Sequence, residues 1–201
     1  MRLHTRNTRW ERIDAAGGPG RDRWTAVAGR PVVVGIDGTD AALRAVAVAA
    51  KGLVDADDLI LVCATRRRRG RPDTRPHDVL KDESYLLTGP AIVDEHLRTA
   101  RELATWHGAR TVSVMSAVGD PTAVLGRVAN DVGAGALVLG TDAGRPGWTA
   151  RSLARRLDPA VELIVTDGSA RYRRRAVTAD TPRRPSWAFA WPAPVQGLAT
   201  R

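Results

Sequence analysis

The residues best suited to ligand chemistry are glycines that directly follow a short apolar run. The stretch Ala134–Gly147 reads AGALVLGTDAGRPG, in which Leu137–Leu139 predict a buried strand and glycines follow at positions 140, 144 and 147. Glycine allows a backbone to approach a bound molecule closely, and the free amides of a following helix attract anions. We therefore expect this loop to face a ligand that carries an anionic group.

A second apolar run ends in the same way much earlier in the chain. The run Pro31–Ile36 is followed by Asp37, Gly38 and Thr39, and Thr39 or Asp40 can cap the next helix. Two strands that each lead through a small-residue turn into a helix are what an open α/β sheet uses to form a ligand crevice. A structural interpretation stays open beside this one, because Asp37 also suits a capping turn and the glycines also suit tight loops.

Apolar segments of strand length alternate along the chain with segments of helical period. The predicted strands are Val32–Ile36, Leu59–Ala64, Thr111–Ser116, Ala136–Leu139 and Val161–Thr166, and helices are predicted after Thr39, over Ala91–His107, after Asp120 and over Thr149–Leu157. Strands without polar alternation are typical of a sheet that is covered on both faces. The order predicts an α/β fold with a five-stranded parallel sheet, a Rossmann-like three-layer sandwich with right-handed crossovers.

The distribution of charge divides the chain into three parts. The 201-residue chain carries a formal net charge of +9, yet Arg30–Gly168 contains equal numbers of basic and acidic side chains. We therefore predict a leader over residues 1–29, one domain over residues 30–168 and a tail over residues 169–201, with both basic ends flexible. A neutral domain with basic ends favours nucleic-acid binding less than a uniformly basic protein does.

The sequence predicts a cytoplasmic protein without a membrane partner. No apolar run approaches the length of a membrane span, and the N-terminal residues lack the apolar core of a signal peptide. Cys63 is the only cysteine, so an internal disulfide is excluded and a reducing compartment is favoured. Because Cys63 lies inside an apolar run, we expect a buried and inert thiol.

The sequence contains no arrangement that is typical of an enzyme active site. It has no Ser-His-Asp set, paired carboxylates, metal-ligand spacing or Walker-type Gly-Lys-Thr loop. His96 and His107 are eleven residues apart on one predicted helix, which is too far for both to bind one metal ion. We therefore expect a protein that is not an enzyme.

Three spaced motifs between residues 31 and 167 can be compared with known families. The first is Val34-Gly-Ile-Asp-Gly-Thr39, a strand that ends in Asp before a small-residue turn. The second is Val118-Gly-Asp-Pro121 after the third predicted strand, and the third is Leu137-Val-Leu-Gly140 before the glycine loop. In order and spacing these motifs resemble the universal stress protein family. The resemblance implies a five-stranded parallel sheet, homodimerisation through the last strand and, in the nucleotide-binding branch, ATP as ligand.

For the nucleotide-binding branch, the resemblance implies roles for particular residues. Asp37 is implied to contact the adenosine, and the segment after the second strand to line the adenine. The phosphates are implied to lie on the glycine loop and on the start of the helix after it. The residues implied to bind the nucleotide are Asp37, Gly38, Thr39, Ala64, Gly119, Gly140, Gly144, Arg151 and Ser152.

The phosphate loop departs from the family pattern, which is Gly-x-x-Gly, nine residues and then Gly-Ser or Gly-Thr. The second glycine, Gly144, falls four residues after Gly140 rather than three, the spacer is shorter, and Arg151-Ser152 stands where Gly-Ser or Gly-Thr is expected. Ser152 is still suited to cap the helix and meet a phosphate, and the guanidinium of Arg151 is itself a phosphate ligand. The expected cofactor is ATP, with Mg²⁺ as its companion ion.

Two hypotheses about function stay open. The first is a regulatory protein of the universal stress type that binds ATP or another adenine nucleotide in a degenerate site, with slow ATP hydrolysis left open. The second is a scaffold or adaptor that binds no nucleotide and whose basic ends contact a protein partner or nucleic acid.

Two surfaces are predicted to bind partners. Val161–Val165 is expected to be an edge strand that pairs with its copy in a homodimer, because an apolar edge invites association. The tail cluster Arg171–Arg175, with Trp187 and Trp191 beyond it, is expected to bind a groove of a protein partner or to dock on its own domain rather than to bind nucleic acid. The basic run Arg66–Arg69 is interpreted as a solvated loop.

Overall fold

The structure, a computed structural model, describes residues 10–14, 29–53, 58–65 and 89–174. The run Arg66–Arg69 lies outside the described residues, as does the tail from Arg175 onward with Trp187 and Trp191. The interpretations given above for these segments stay predictions.

Seven strands and four helices follow one another along the described residues. In chain order they are β1 (Glu11–Asp14), β2 (Val32–Ile36), α1 (Asp40–Gly52), β3 (Asp58–Thr65), α2 (Gly89–Trp106), β4 (Thr111–Val118), α3 (Pro121–Asp131), β5 (Ala136–Gly140), α4 (Trp148–Arg156), β6 (Glu162–Thr166) and β7 (Ala170–Arg174). Thr39, one of the two residues suited by sequence to cap α1, does so by accepting a backbone hydrogen bond, and Asp120 caps α3 in the same way at the predicted start of that helix. None of the helices so described combines the length and the apolarity needed to cross a membrane.

All seven strands belong to one sheet, in the order β1-β7-β6-β5-β2-β3-β4. The pairs that link β6, β5, β2, β3 and β4 are all parallel. From β2 the chain adds strands on one side of the sheet, and with β5 it begins to add them on the other. The junction between β2 and β5 is therefore the topological switch point, where open α/β sheets form their crevice. The predicted α/β fold with a parallel sheet is confirmed.

The sheet separates two apolar cores and so forms the middle one of three layers. Val32, Val34 and Ile36 of β2 belong to the core that α1 and α2 cover. Val33, between them, belongs with Leu137 of β5 to the core that α3 and α4 cover. Because both faces of β2 and β5 are buried, their sequences are continuously apolar rather than alternating.

The sheet has seven strands rather than the predicted five. Glu11–Asp14 in the predicted leader and Ala170–Arg174 in the predicted tail form β1 and β7, and β7 pairs antiparallel with both β6 and β1. The prediction of flexible ends is therefore wrong for these two segments. Their sequences, ERID and ARYRR, are mostly charged and lack the apolar run that identifies the inner strands.

Strand β6 lies inside the sheet and not at its edge. One side of β6 pairs with β5, and the other pairs with β7 from Leu163 opposite Arg174 to Thr166 opposite Arg171. The edge-strand prediction for Val161–Val165 is therefore wrong for the described chain. The reason is that β7 of the same chain occupies the backbone groups with which a second copy was expected to pair. Homodimerisation itself stays a prediction.

Charged side chains fasten β7 to its neighbours. The guanidinium of Arg173 lies 3.1 Å from the carboxylate of Glu162, which is 4% exposed, and 3.6 Å from that of Glu11 on β1. Arg174 donates hydrogen bonds to the carbonyl oxygens of Ala154 in α4 and Val161 before β6, at 3.1 and 3.0 Å. These two arginines of the predicted tail cluster therefore stabilise the fold.

Candidate functional site

Six of the predicted nucleotide-binding residues lie at one edge of the sheet, where the parallel strands end. Residues 37–39 follow β2, Ala64 lies near the end of β3, Gly119 follows β4 and Gly140 ends β5. The backbone N–H of Gly119 donates to the carbonyl oxygen of Thr65 at 2.8 Å, which ties the ends of β3 and β4 together. The structure therefore brings these residues to the edge that contains the switch point.

Asp37 closes the turn between β2 and α1. Its Oδ1 accepts hydrogen bonds from the backbone N–H of Thr39 at 3.1 Å and from the Thr39 hydroxyl at 2.6 Å. The same hydroxyl oxygen accepts a hydrogen bond from the backbone N–H of Ala42 at 3.2 Å and so caps α1. Asp37 thus stabilises the capping turn before α1, which is the structural role that the sequence left open beside ligand binding. Its side chain is exposed, and Oδ2 accepts no hydrogen bond from the described residues, so that this oxygen can meet a ligand hydroxyl.

His96 of α2 packs on Gly38 of this turn. Gly38 has a φ of +80°, a conformation that favours glycine. A Cβ at this position would also come closer than 3.0 Å to the imidazole ring of His96. The sequence analysis assigns His96 no place at the site, and no sequence pattern could have done so, because the contact depends on how α2 crosses the end of β2.

Gly140 allows α1 to pass directly over the end of β5. A Cβ on Gly140 would lie closer than 3.0 Å to backbone atoms of Ala41 and Ala42, in the first turn of α1. The close approach of helix and strand therefore requires glycine here without any ligand. For Gly140 the structural interpretation is sufficient.

The segment between β5 and α4 forms a shallow pocket at the N-terminus of the helix. The pocket has a volume of about 240 Å³ and is lined by Arg145, Pro146, Gly147, Trp148 and Arg151. Gly147 is the N-cap residue and has no side chain to bind the first N–H groups of α4. Free N–H groups at a helix N-terminus attract anions, and so do guanidinium groups. The pocket is therefore suited to an anion such as a phosphate group.

The predicted phosphate-binding residues are only partly found at this pocket. Arg151 lines it, whereas Ser152 does not. Because α4 begins at Trp148, Ser152 lies in the second turn, and the prediction that it caps the helix is wrong. Gly144 lies in the loop before the pocket.

Of the five residues that line the pocket, only Arg151 belongs to the predicted nucleotide-binding set, and the two largest side chains that the set lacks are those of Arg145 and Trp148. The sequence places the start of this helix at Thr149, one residue late, so that it does not show Trp148 in the first turn. A signal for Arg145 was present, since a basic residue shortly before a helix is well placed for an anion at the helix N-terminus. Trp148 is 72% exposed, which is unusual for so large an apolar side chain.

Cys63, near the end of β3, is buried as predicted. Burial raises the pKa of its thiol, and the nearby carboxylate of Asp37 raises this pKa further. The thiol therefore stays protonated at neutral pH and is a poor nucleophile. Within the described ranges, no group of three or more His, Cys, Asp or Glu side chains is arranged to hold a metal ion.

The sheet order, its switch point and the two helical layers define a Rossmann-like α/β sandwich. No family model matches the chain. Two universal stress proteins of Mycobacterium tuberculosis are each 37% identical to it over 143 residues, MT1672 of strain CDC 1551 / Oshkosh and Rv1636 of strain ATCC 25618 / H37Rv. The match covers 68% of this chain and 97% of each relative. The chain belongs to the universal stress protein family, which confirms the resemblance seen in its motifs.

Solved structures agree with this assignment. A universal stress protein in complex with cAMP is 34% identical, with a TM-score of 0.51 over 70% of this chain and 98% of that one. A universal stress protein family protein from Arabidopsis thaliana with AMP bound has a TM-score of 0.52 over 69% of this chain and 92% of that one. At 14% identity, the Arabidopsis protein supports the fold alone.

Proposed function

We propose that this protein is a regulatory protein that binds an adenine nucleotide at the carboxyl edge of its sheet. In this proposal the adenosine lies against the turn at Asp37 and the end of β3 at Ala64, and the phosphates lie in the pocket before α4. The relative that is 34% identical is a complex with cAMP, and this makes adenine nucleotides the first ligands to test.

The observation that carries the proposal is the convergence of positive charge in the pocket. Arg145 and Arg151 line it together with the uncapped N-terminus of α4. Within the described part of the chain, no acidic side chain forms an ion pair with either guanidinium. A bound anion offsets the repulsion between the two guanidinium groups, and it accepts hydrogen bonds from them and from the unpaired N–H groups of the helix.

We further propose ATP as the nucleotide, with Mg²⁺ brought by its phosphates. Two guanidinium groups favour a ligand with several negative charges over one with a single charge. The role we propose is that of a nucleotide-responsive regulator rather than an enzyme. Phosphate release from ATP in the presence of the protein would measure any slow hydrolysis.

Replacing either pocket arginine is expected to weaken ATP binding. The variants Arg145→Gln and Arg151→Gln each remove a charge-assisted hydrogen bond of about 1.5–3 kcal/mol, which corresponds to a loss of roughly tenfold or more in affinity. Calorimetric titration with ATP, AMP, cAMP and GTP measures this loss and the preference for adenine. Arg155→Gln is the matched control, because it makes the same charge change near the other end of α4.

The outcomes separate the site from a general effect of charge. We expect Arg155→Gln to bind ATP as the wild type does. Equal losses in Arg151→Gln and Arg155→Gln would show that the pocket is not the phosphate site. A wild-type protein that gives no heat with millimolar ATP and Mg²⁺, AMP or cAMP would refute the proposed function.

A further inference from the structure

Arg44 of α1 links three segments at the carboxyl edge of the sheet. Its guanidinium forms an ion pair with Asp142, which lies 98 residues later in the segment that leads to α4. Its aliphatic stem lies on Gly168 in the turn between β6 and β7, where an added Cβ would stand 2.9 Å from Arg44 Cδ. The Nε atom of Arg44 is buried and has no hydrogen-bond partner among the described residues.

The loop that Arg44 holds is the one that presents the pocket. We call residues 141–147 the pocket loop. The hydroxyl of Thr141 donates to the carbonyl oxygen of Arg145 and accepts from the backbone N–H of Ala143, both at 3.2 Å. Asp142 lies within this hydrogen-bonded turn, which also contains Arg145.

The ion pair contributes to geometry more than to stability. The side chains of Arg44 and Asp142 are 41% and 73% exposed. Exposed ion pairs contribute about 0–1 kcal/mol to folding, because solvent screens them and two side chains must be ordered. The backbone N–H of Thr141 already fixes the start of the pocket loop by donating to Thr166 at 2.9 Å. The next residue is Asp142, and its ion pair with Arg44 orients the rest of the pocket loop.

We propose that Arg44 is a positioning residue for the phosphate end of the nucleotide site. Its ion pair with Asp142 holds the pocket loop so that Arg145 and the N-terminus of α4 face the same phosphates. The inference rests on the proposed function and adds to it the class of ligand whose affinity depends on Arg44. These ligands are nucleotides with a phosphate chain, whereas adenosine without phosphate does not depend on this residue.

The test compares the affinities of adenosine and ATP in five proteins. These are the wild type and its Arg44→Gln, Asp142→Asn, Arg44→Lys and Arg44→Gln/Asp142→Asn variants. The matched control, a sixth protein, is Arg98→Gln/Glu102→Gln, which removes the exposed ion pairs of Arg98 with Glu95 and Glu102 on α2. Calorimetry gives the affinities, and thermal unfolding reports whether the fold is intact.

We expect Arg44→Gln and Asp142→Asn each to weaken ATP binding by about five- to tenfold, with adenosine affinity and the unfolding temperature unchanged. The double variant should lose no more than either single variant, because both remove one interaction. Arg44→Lys should recover part of the affinity by restoring the charge, and the control should bind as the wild type does.

Three results would overturn the inference while the wild type still binds ATP. The first is unchanged ATP affinity in both single variants. The second is weaker binding in Arg44→Gln with tighter binding in Asp142→Asn, which would make Arg44 a direct ligand that Asp142 withholds. The third is an equal loss of adenosine and ATP with a lowered unfolding temperature. A wild type that binds no nucleotide would instead refute the proposed function, and this inference with it.

Discussion

Gly140→Val is expected to destabilise the whole domain and not only a ligand site. Any Cβ at this position meets backbone atoms of Ala41 and Ala42, which cannot rotate away as the end of a side chain can. Overpacking in a protein interior costs about 1–3 kcal/mol and occasionally more, and we expect a cost of about 3 kcal/mol or more here. For a chain of this size that lowers the unfolding temperature by about 6–12 °C, as thermal unfolding followed by circular dichroism would show.

Gly147→Ala is the control for this prediction. No atom lies within 4 Å of a Cβ added at Gly147, and its φ of −78° is accessible to alanine. We expect a change below about 1 kcal/mol, the ordinary difference between glycine and alanine at an N-cap. A Gly140→Val protein that unfolds at the wild-type temperature would show that α1 does not pass over the end of β5 as closely as described. If the prediction holds, loss of nucleotide binding in this variant reports on the fold and cannot identify a ligand contact.

Arg173→Ala is expected to loosen β7 from the sheet. The change removes the cation beside the buried carboxylate of Glu162, and it also removes the ion pair with Glu11 on β1. Removing one partner of a buried ion pair costs about 3–5 kcal/mol, and the 27% exposure of Arg173 favours the lower end of this range. We expect a loss of about 3 kcal/mol in the free energy of unfolding, measured by urea titration.

The loosening of β7 has a second expected consequence, namely association. Strand β6 is apolar between Glu162 and Thr166 and is buried along its whole length. When β7 leaves, the backbone N–H and C=O groups on that side of β6 can pair with another chain. We therefore expect light scattering to show a larger molecular mass for the variant than for the wild type at the same protein concentration.

Two variants check the cause of these effects. Arg98→Ala breaks ion pairs of the same chemistry with Glu95 and Glu102, but all three side chains are more than half exposed, so we expect at most about 1 kcal/mol. The double variant Glu162→Leu/Arg173→Leu replaces the buried pair with apolar side chains and should recover most of the stability. If Arg173→Ala were no more harmful than Arg98→Ala, the pair with Glu162 would not be what holds β7.

The inner part of the fold could be predicted because its physical cause is local. The strand from Val32 to Ile36 is apolar without alternation, and this occurs when helices cover both faces of a parallel sheet. The capping of α1 by Thr39 and of α3 by Asp120 also follows from short-range patterns. These signals, with the order of the segments, were sufficient for the α/β fold, and the three spaced motifs carried the resemblance to the family.

The two outer strands could not be predicted, because their stability comes from partners distant in the chain. Strand β7 contains three arginines, and it becomes a strand because β6 offers a free edge and Glu162 a buried opposite charge. Strand β1 needs β7 in turn, with which it pairs from Glu11 opposite Arg173 to Asp14 opposite Ala170. No pattern within either segment indicates the strand with which it pairs.

The candidate site likewise has features that the sequence predicts and features that it does not. The sequence by itself predicted the strand ends to within two residues, and hence that Asp37, Ala64, Gly119 and Gly140 lie at one edge of the sheet. Only the tertiary structure decided what surrounds these positions. Tertiary packing places His96 on Gly38, and it directs Arg44 to Asp142. These contacts join residues far apart in the chain, and they follow from the packing of helices across a sheet, which no spacing within one segment encodes.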